Sequence, residues 1–488
     1  MSGELTKPEG LNFRCKEDEI YCMRGRKQKI SKDNCPQEGR AELKSKVGVQ
    51  TFIWINETEN TRETTESGLL EQIVSPENLN RAYRQVVRNQ GSRGIDKMEV
   101  KELKSYLIAN KTELISNIMA GKYKPQPVRR VEIPKDRSRK RELGIPTVLD
   151  RMIQQSINQV LSVIYERQFL RDSYGFRPGR SAQEAIKRVQ EYANMGYIYA
   201  VDMDLEKYFD MVNRSKLIEV MSQTIKDGRV ISLIHKFLNA GVMIGDKIEE
   251  PERGVPQGSP LSPLLGNIML HELDKELTSR GHKFVRYADD MMILCKSCRS
   301  AKRTLSHTVG FVEHKLYLRV NREKTEVSHV TKVKFLGYTF YTKDGKCRIS
   351  IHSKSWEKVR TRIREITSRS NGKGDASRKE SLRYYIRGWL NYFRMADMKS
   401  ILLRLDKWYR RRLRMVIWKQ WKRIKTRYTN LQRLGIPRQK AWEHANTRKG
   451  YWHIANSWIL SVSITTERLK RAGYIFFSDY YKTVAPLV

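Results

Sequence analysis

The sequence predicts an α+β fold, because short apolar strands alternate with helices along its middle part. Three segments have strand character: residues 197–205 (YIYAVDMDL), 284–294 (FVRYADDMMIL, two runs interrupted by acids) and 333–342 (VKFLGYTFYT). Strands that return between helices are typical of a sheet covered by helices. From about residue 353 the pattern changes to helices alone, which indicates that a second, helical region follows the sheet region.

Caps and periodicity place the other elements in order. Ser75, followed by proline and glutamate, is expected to open a helix that Gly91 ends. Residues 124–135 (KPQPVRRVEIPK) have strand character, and an apolar stripe over 148–169 predicts a buried helix. Long basic helices are expected over 353–426, interrupted at 371–379. Residues 1–66 are polar, mixed in charge and without helical period, which predicts a loosely ordered extension.

Charge indicates the kind of partner. The chain of 488 residues has 94 Lys and Arg against 54 Asp and Glu, a formal net charge of +40. A surplus of this size favours a polyanion, and nucleic acid is the commonest. No run of 18 apolar residues indicates a membrane span. Six cysteines without a disulfide framework, and a start (MSGELTKPEG) without the apolar core of a signal peptide, predict a cytoplasmic setting.

Two groups of carboxylates stand in apolar surroundings and predict a metal site. Asp289 and Asp290 are adjacent, so they can approach one ion cluster only if they lie at a hairpin bend. Asp202 and Asp204 are two apart and share one face of a strand. Such acids in a basic protein indicate two-metal phosphoryl transfer with Mg²⁺. The alternative, a glycosidase acid and base, is disfavoured by the net charge of +40.

Several ordered blocks resemble those of reverse transcriptases, and more closely those of group II intron-encoded proteins. The resemblance extends over about residues 68–488 and rests on DLEKYFD, GVPQGSPLSPLLGNIML, YADD, VEIPKDRSRKRELGIPTVLDRMIQQ, SYGFRPGRSAQEA, NREKT, KFLGYTFY, YYIRGWLNYF and RLRMVIWKQWK. It implies a right-hand polymerase, with fingers and an antiparallel palm sheet over 67–350. An α-helical thumb or maturase domain X would follow over 351–425, and a small basic DNA-binding-like region over 426–488. Residues 1–66 would be a variable extension.

The resemblance also implies roles at the polymerase site. Asp204, Asp289 and Asp290 would be the catalytic acids that hold two Mg²⁺ ions. Asp204 is preferred to Asp202 because Phe209 then falls five residues later, at the family's steric gate against the nucleotide 2′-OH. The incoming nucleotide would be held by Gln257, Lys135 and Arg141, and Lys324 would be a general acid beside the leaving pyrophosphate.

Further residues are implied to contact nucleic acid. Arg177 and Gly179 resemble template contacts, and Phe335, Leu336 and Gly337 resemble the primer grip. In the maturase region, basic and aromatic side chains suit shape-based recognition of folded RNA; the candidates are Arg387, Trp389, Tyr392, Arg411, Arg412, Arg414 and Trp418. Packing in the helical core is the open alternative for Trp389 and Trp418, because aromatic residues are also common in cores.

The function implied is an RNA-directed DNA polymerase that binds its intron RNA, promotes splicing and copies the intron into a target DNA from deoxynucleoside triphosphates, in a bacterial cytoplasm. No paired cysteines and histidines of an HNH nuclease follow Tyr451, so no second-strand cleavage is expected from this chain. Two alternatives stay open: an RNA-binding splicing factor without polymerase activity, and a relative adopted for host DNA repair or defence. The oligomeric state is not determined.

Overall fold

The computed structural model describes residues 68–134 and 140–485. These residues divide into two compact units, here called the N-terminal unit (up to residue 349) and the C-terminal unit (from residue 350). The extension predicted for 1–66 and the predicted nucleotide contact Lys135 lie outside the described residues. None of the described helices is both long enough and apolar enough to cross a membrane.

The N-terminal unit combines helices with short strands, and the predicted α+β class is confirmed. Its helices are α1 (Leu69–Val74), α2 (Pro76–Asn89), α3 (Leu103–Met119), α4 (Val148–Glu166), α5 (Ala182–Asn194), α6 (Tyr208–Met211), α7 (Arg214–Thr224), α8 (Gly228–Leu238), α9 (Ser262–Ser279) and α10 (Cys298–His314). The strands are β1 (Val128–Pro134), β2 (Lys140–Ile145), β3 (Tyr199–Met203), β4 (Val242–Ile244), β5 (Lys247–Glu249), β6 (Lys283–Tyr287), β7 (Asp290–Cys295), β8 (Glu326–His329), β9 (Tyr338–Lys343) and β10 (Lys346–Ile351).

Local sequence signals explain where the first helices begin. The Ser75 side chain accepts a hydrogen bond from Asn78 N at the start of α2, and a proline occupies the first turn. Thr147 caps α4 in the same way through Asp150 N. The apolar stripe of α4 is buried as predicted, with Met152 and Ile157 fully enclosed. An ordered helix, α1, precedes the expected start at Ser75.

The strands form separate sheets. In the described residues one sheet has the order β2-β1-β4-β5, a second has the order β6-β7-β3-β8, and β9 pairs with β10. In the second sheet β3 is antiparallel to both β7 and β8, and β6 is antiparallel to β7. Val201 and Met203 of β3 belong to the main hydrophobic core. The alternate residues of β3 therefore face away from that core.

One predicted strand is shorter than expected. Strand character was predicted over 333–342, but β9 begins only at Tyr338. Leu336 and Gly337 have φ of 50° and 83°, in the left-handed region. A pair of positive φ values makes a tight turn rather than a strand, so the apolar pattern continues through a bend.

The C-terminal unit is helical after the end of β10. Its helices are α11 (Ser353–Ile366), α12 (Asp375–Tyr392), α13 (Lys399–Gln420), α14 (Ile424–Arg433), α15 (Arg438–Ala445), α16 (Tyr451–Ile454), α17 (Trp458–Ser463), α18 (Thr466–Arg471) and α19 (Phe477–Val484). Asp406 of α13 is buried and accepts hydrogen bonds from the backbone N–H groups of Phe477 and Ser478. This carboxylate thereby satisfies the first donors of α19 and joins the last helix to α13.

Candidate active site

Strand register brings the two predicted groups of acids together. Asp202 lies opposite Met292 of β7 and Glu326 of β8, and Met203 lies opposite Met291. Asp204 follows β3 and Asp290 begins β7, so both lie at the same end of neighbouring strands. Because side chains alternate along a strand, Asp202, Asp204, Asp290 and Glu326 share one face of the sheet, here called the acid face.

Asp289 lies in the turn between β6 and β7, as the hairpin interpretation required. Tyr287 pairs with Asp290, so Ala288 and Asp289 alone form the turn. Ala288 has φ of 57°, in the left-handed region that a two-residue hairpin needs at its first position. Asp289 is half-buried, and its position in the turn frees it from the alternation that would separate neighbouring strand residues.

The carboxylates of the acid face act on one another electrostatically. Burial raises the pKa of Asp202, the carboxylates of Asp290, Glu326 and Asp204 raise it as well, and Lys334 acts in the opposite direction; together they bring this pKa to about 7. Such mutual repulsion among carboxylates is relieved by a bound cation.

Residues 321–325 (NREKT) contact Asp204 through both backbone and side chains. Asn321 N donates to the Asp204 carbonyl at 2.8 Å, and Asp204 N donates to Thr325 Oγ1 at 3.2 Å. The Lys324 side chain then reaches the Asp204 carboxylate, with Nζ 2.9 Å from Oδ2. The predicted general acid and a predicted metal ligand are therefore direct neighbours.

Backbone hydrogen bonds connect the segments that carry Phe209, Gln257 and Arg141, the predicted nucleotide contacts. Val255 N donates to the carbonyl of Phe209 at 2.7 Å, and Gly144 N of β2 donates to the carbonyl of Gln257 at 2.7 Å. The exposed Arg141 lies on that same strand, and its charge lowers the pKa of Asp210, which burial raises. The structure thus brings Phe209, Gln257 and Arg141 into one neighbourhood.

The segment predicted as the primer grip, residues 335–337, forms a tight turn. Phe335 and Tyr338 exchange backbone hydrogen bonds of 3.1 and 2.9 Å around Leu336 and Gly337. Phe335 is buried and anchors the turn. The charge of Lys334, one residue earlier, acts on Asp202, which places this turn within electrostatic reach of the acids.

Arg177, predicted as a template contact, is a buried side chain. Its guanidinium forms an ion pair of 2.6 Å with Glu166 and donates to the carbonyls of Leu170 and Ser173 at 2.6 and 2.7 Å. In this position it holds the chain after α4 together. Gly179 has φ of 71° and open space around it, so it stays accessible.

A second buried arginine, which sequence reasoning missed, supports the turn that carries Asp289. Arg286 is fully buried and pairs with Asp274 of α9, with Nη2 2.5 Å from Oδ2. Its Nη1 donates to Asn267 Oδ1 at 2.9 Å and to the Ala288 carbonyl at 3.1 Å. The available signal was a single arginine inside the apolar run FVRYADDMMIL, since a buried charge requires a partner.

The RNA candidates of the C-terminal unit differ in accessibility. Trp389 and Trp418 pack in the helical core, the alternative left open above, so contact of either ring with RNA would require the helices to separate. Three of the arginines bind polar groups in or just after neighbouring helices, namely Arg411 to the Trp452 carbonyl, Arg412 to Thr367 Oγ1 and Arg414 to the Ile464 carbonyl. Arg387 and Tyr392 are exposed.

Carboxylates of the acid face, together with Asp289 of the adjoining turn, suit magnesium by their chemistry. Asp204, Asp289 and Asp290 offer carboxylate oxygens, the ligands that this hard cation prefers. In the described part of the chain, no three acidic, histidine or cysteine side chains converge as closely as ligands of one bound ion would. Lys324 pairs with Asp204 instead, so metal binding by this carboxylate requires the ammonium group to withdraw.

Models of two known families match segments of this chain, one in each unit. The model of reverse transcriptases (RNA-dependent DNA polymerases) matches residues 133–340, and the model of the group II intron maturase-specific domain matches residues 356–435. The first match includes the acid face, the turn and the primer-grip segment. The second begins within α11 and ends after α14.

Two curated relatives are similar to this chain. Protein YkfC of Escherichia coli (strain K12) is 31% identical over 316 residues, which are 56% of this chain and 83% of YkfC. The group II intron-encoded protein LtrA of Lactococcus lactis subsp. cremoris is 32% identical over 292 residues, 46% of this chain and 49% of LtrA. The chain therefore spans most of YkfC and about half the length of LtrA.

A solved structure, the partial Cas6-RT-Cas1–Cas2 complex, is 24% identical, with a TM-score of 0.33 over 51% of this chain and 43% of that one. This likeness is too weak to support an argument about function. The two domain matches, in the predicted order, and the similarity to LtrA confirm the resemblance seen in the sequence. The chain belongs to the family of group II intron-encoded reverse transcriptases with a maturase domain.

Proposed function

We propose that this chain is an RNA-directed DNA polymerase and maturase that uses two Mg²⁺ ions and deoxynucleoside triphosphates. The observation that carries the proposal is the position of Asp204, Asp289 and Asp290 at the same end of the β3–β7 strand pair. Three oxygen donors from two separate chain segments suit a pair of metal ions at a phosphoryl-transfer site. The domain matches and the net charge of +40 support nucleic acid as substrate.

In this proposal the side chains around the acid face divide the work. Bound Mg²⁺ would stabilise the attacking and leaving oxygens of the phosphoryl transfer. Arg141 binds the triphosphate, as does Lys135, and the Lys324 Nζ donates a proton to the leaving pyrophosphate. Gln257 lies under the incoming nucleotide, and the Phe209 ring excludes a 2′-OH from the sugar pocket.

The C-terminal unit supplies the maturase function in this proposal. It would bind the intron RNA and promote splicing, and the polymerase would then copy the RNA into a target DNA during retrohoming. The match to the maturase-specific domain and the similarity to LtrA support the intron RNA as partner. The domain boundaries at 66, 350 and 425, the target DNA and a bacterial cytoplasmic setting stay predictions.

Primer extension tests the polymerase directly. The full chain is given an RNA template, an annealed DNA primer, Mg²⁺ and deoxynucleotides, and is compared with Asp289→Asn. We expect extension by the wild type and a loss of at least about a hundredfold in the variant, because a lost metal ligand removes several kcal/mol of stabilisation from the transition state.

A binding measurement completes the test. Both proteins should bind the intron RNA equally, since Asp289 lies in the turn of the N-terminal unit and its substitution by asparagine preserves its shape. Extension by Asp289→Asn at the wild-type rate would refute the metal-site assignment. Intron binding without extension by either protein would refute the polymerase and favour a splicing factor.

A further inference from the structure

Phe176 is an exposed aromatic residue in an unfavourable backbone conformation, close in the fold to Ala288 and Asp289, the two residues here called the catalytic turn. Its φ is 58°, and 55% of its surface is accessible. Bulky residues rarely adopt the left-handed region, and such conformations persist only where surrounding contacts impose them. Strained residues of this kind concentrate at functional sites, which makes the contacts around Phe176 informative.

The residue before Phe176 is fixed to the catalytic turn. A Cβ atom added to Gly175 would overlap the backbone nitrogen of Ala288, so the two backbones are in direct contact. Asn267 Nδ2 donates to the Gly175 carbonyl at 2.7 Å, and its Oδ1 accepts from Arg286. Glycine is therefore required at 175 by the close approach of the turn.

The residues on either side complete the restraint. Tyr174 N donates to the Arg286 carbonyl at 2.8 Å, which joins this segment to β6. Arg177 is anchored by its ion pair with Glu166. With both neighbours fixed, the backbone of Phe176 cannot relax to a favourable φ, and this exposed residue stays one position away from the contact between Gly175 and Ala288.

Tyr317 is also an exposed aromatic residue with a positive φ, but its position at a helix end explains that conformation. It has φ of 56° and is 52% accessible, but it lies in the turn that ends α10, three residues after His314. A left-handed residue just beyond a helix is a common way to end it. Phe176 follows the end of α4 by ten residues, so helix termination does not account for its conformation.

We propose that Phe176 contacts the primer–template duplex, packing its ring against a nucleobase or sugar at the catalytic turn. The inference rests on the proposed polymerase function and adds a contact to it. A primer end placed on Asp289 and Asp290 brings the duplex over the neighbouring segment, because Phe176 directly follows a residue in contact with Ala288. An exposed aromatic ring offers a surface on which any base can stack.

Duplex binding in the absence of nucleotides tests the proposal. Fluorescence anisotropy with a labelled RNA–DNA primer–template compares the full-length wild type with Phe176→Leu, Phe176→Tyr and Tyr317→Leu. Stacking contacts of this kind are worth about 1–3 kcal/mol per base, so the Kd should rise about tenfold in Phe176→Leu. Phe176→Tyr should restore the wild-type Kd, and Tyr317→Leu should leave it within about twofold.

The outcomes separate this contact from the polymerase function. An unchanged Kd in Phe176→Leu overturns the proposal; this is also the result expected if the ring binds a protein partner. An equal loss of duplex affinity in Tyr317→Leu overturns it as well. A melting midpoint equal to that of the wild type excludes unfolding as the cause of weaker binding. Because binding needs no catalysis, a raised Kd supports the contact even if primer extension by the wild type fails.

Discussion

Lys324 Nζ lies 2.9 Å from Oδ2 of Asp204, so a cation from the NREKT block neutralises one of the proposed metal ligands. Both side chains are partly exposed, which leaves the ammonium group free to move away when a metal ion competes for the carboxylate. Lys324 is thus placed to influence metal binding as well as proton transfer. The two roles have opposite consequences when the charge is removed.

For Lys324→Ala we expect a lower Mg²⁺ requirement and a slower reaction. The half-saturating Mg²⁺ concentration should fall by several-fold, because the ammonium group no longer competes for Asp204. The maximal extension rate should fall by about a hundredfold, the typical contribution of a general acid. A Mg²⁺ titration of primer extension at saturating nucleotide measures both, with Lys324→Arg as the charge-retaining control. A half-saturating concentration that stays constant would contradict the competition.

Asp202 and Asp204 should differ in their effects on catalysis, although both lie on the acid face. Asp202 lies between Met292 and Glu326 within the sheet, whereas Asp204 lies beyond the end of β3, next to Asp290. Asp204→Asn should reduce extension by at least about a hundredfold. Asp202→Asn should keep measurable extension, within about tenfold of the wild type. The measurement is the single-turnover extension rate of each variant. A larger loss of rate in Asp202→Asn than in Asp204→Asn would assign the metal to Asp202.

Arg286 should affect stability and activity separately. Removing one partner of a buried ion pair typically costs about 3–5 kcal/mol, so Arg286→Met alone should lower the free energy of unfolding by that amount. The double variant Arg286→Met with Asp274→Leu should recover much of this loss, because no charge is left unpaired. Extension should nevertheless stay low, since the hydrogen bond to the Ala288 carbonyl is missing.

Urea unfolding and primer extension on the same preparations measure these effects. The single variant Asp274→Leu is the matched control for an unpaired Arg286. Full recovery of extension in the stable double variant would show that Arg286 supports only the fold and does not position the turn.

His271 should make stability depend on pH. Burial lowers its pKa to about 4, and the charges of Lys275 and Arg286 act in the same direction. Below about pH 6.5 the unfolded chain takes up a proton that the folded chain refuses, so the free energy of unfolding falls as the pH is lowered toward 4. The whole loss amounts to roughly 3 kcal/mol.

The variant His271→Phe removes this titration and keeps an aromatic ring beside Phe169, whose ring centroid is 5.5 Å from that of His271. Its stability should decline less than that of the wild type between pH 6.5 and 4, as measured by urea unfolding. The exposed His314→Gln is the control and should follow the wild type. Parallel curves for His271→Phe and the wild type would argue against a neutral His271 in the folded state.

Trp418 should act on stability rather than on RNA. Its side chain is only 1% accessible, and replacing a buried tryptophan by alanine costs about 3–5 kcal/mol. Trp418→Ala should therefore lower the melting midpoint, and its RNA affinity should fall only where the protein unfolds. Trp442, which is 57% accessible, is the matched control, and Trp442→Ala should keep the melting midpoint. Loss of RNA binding by a fully folded Trp418→Ala would assign its ring to the RNA.

Much of the site followed from local patterns. Strand alternation predicts that Asp202 and Asp204 share one face, and the adjacent acids Asp289 and Asp290 predict a hairpin bend; the structure contains this face and this hairpin. Neither requires knowledge of distant contacts, since the period of a strand and the length of a turn are local properties. The assigned roles of these carboxylates stay predictions until the variants are measured.

The arginines show what local patterns do not contain. Arg177 and Arg286 look in sequence like any other basic residue, yet both are buried in ion pairs with acids 11 and 12 positions away. Whether a cation faces nucleic acid or a carboxylate depends on which helix packs beside it. The same applies to Trp418, whose position on α13 does not by itself say which side is covered.

The sequence by itself determined the family, the α+β class, the order of the blocks and the pairing of the acids, because periodicity, caps and motifs act over a few residues. Only the tertiary structure decided that Lys324 pairs with Asp204, that Arg286 supports the Ala288 carbonyl and that Phe176 is held exposed beside the turn. The pair of Lys324 and Asp204 joins residues 120 positions apart, and Arg286 is held beside the Ala288 carbonyl by its ion pair with Asp274 on another element. Burial and partners are properties of the packed fold, and a linear pattern does not specify which distant groups packing brings together.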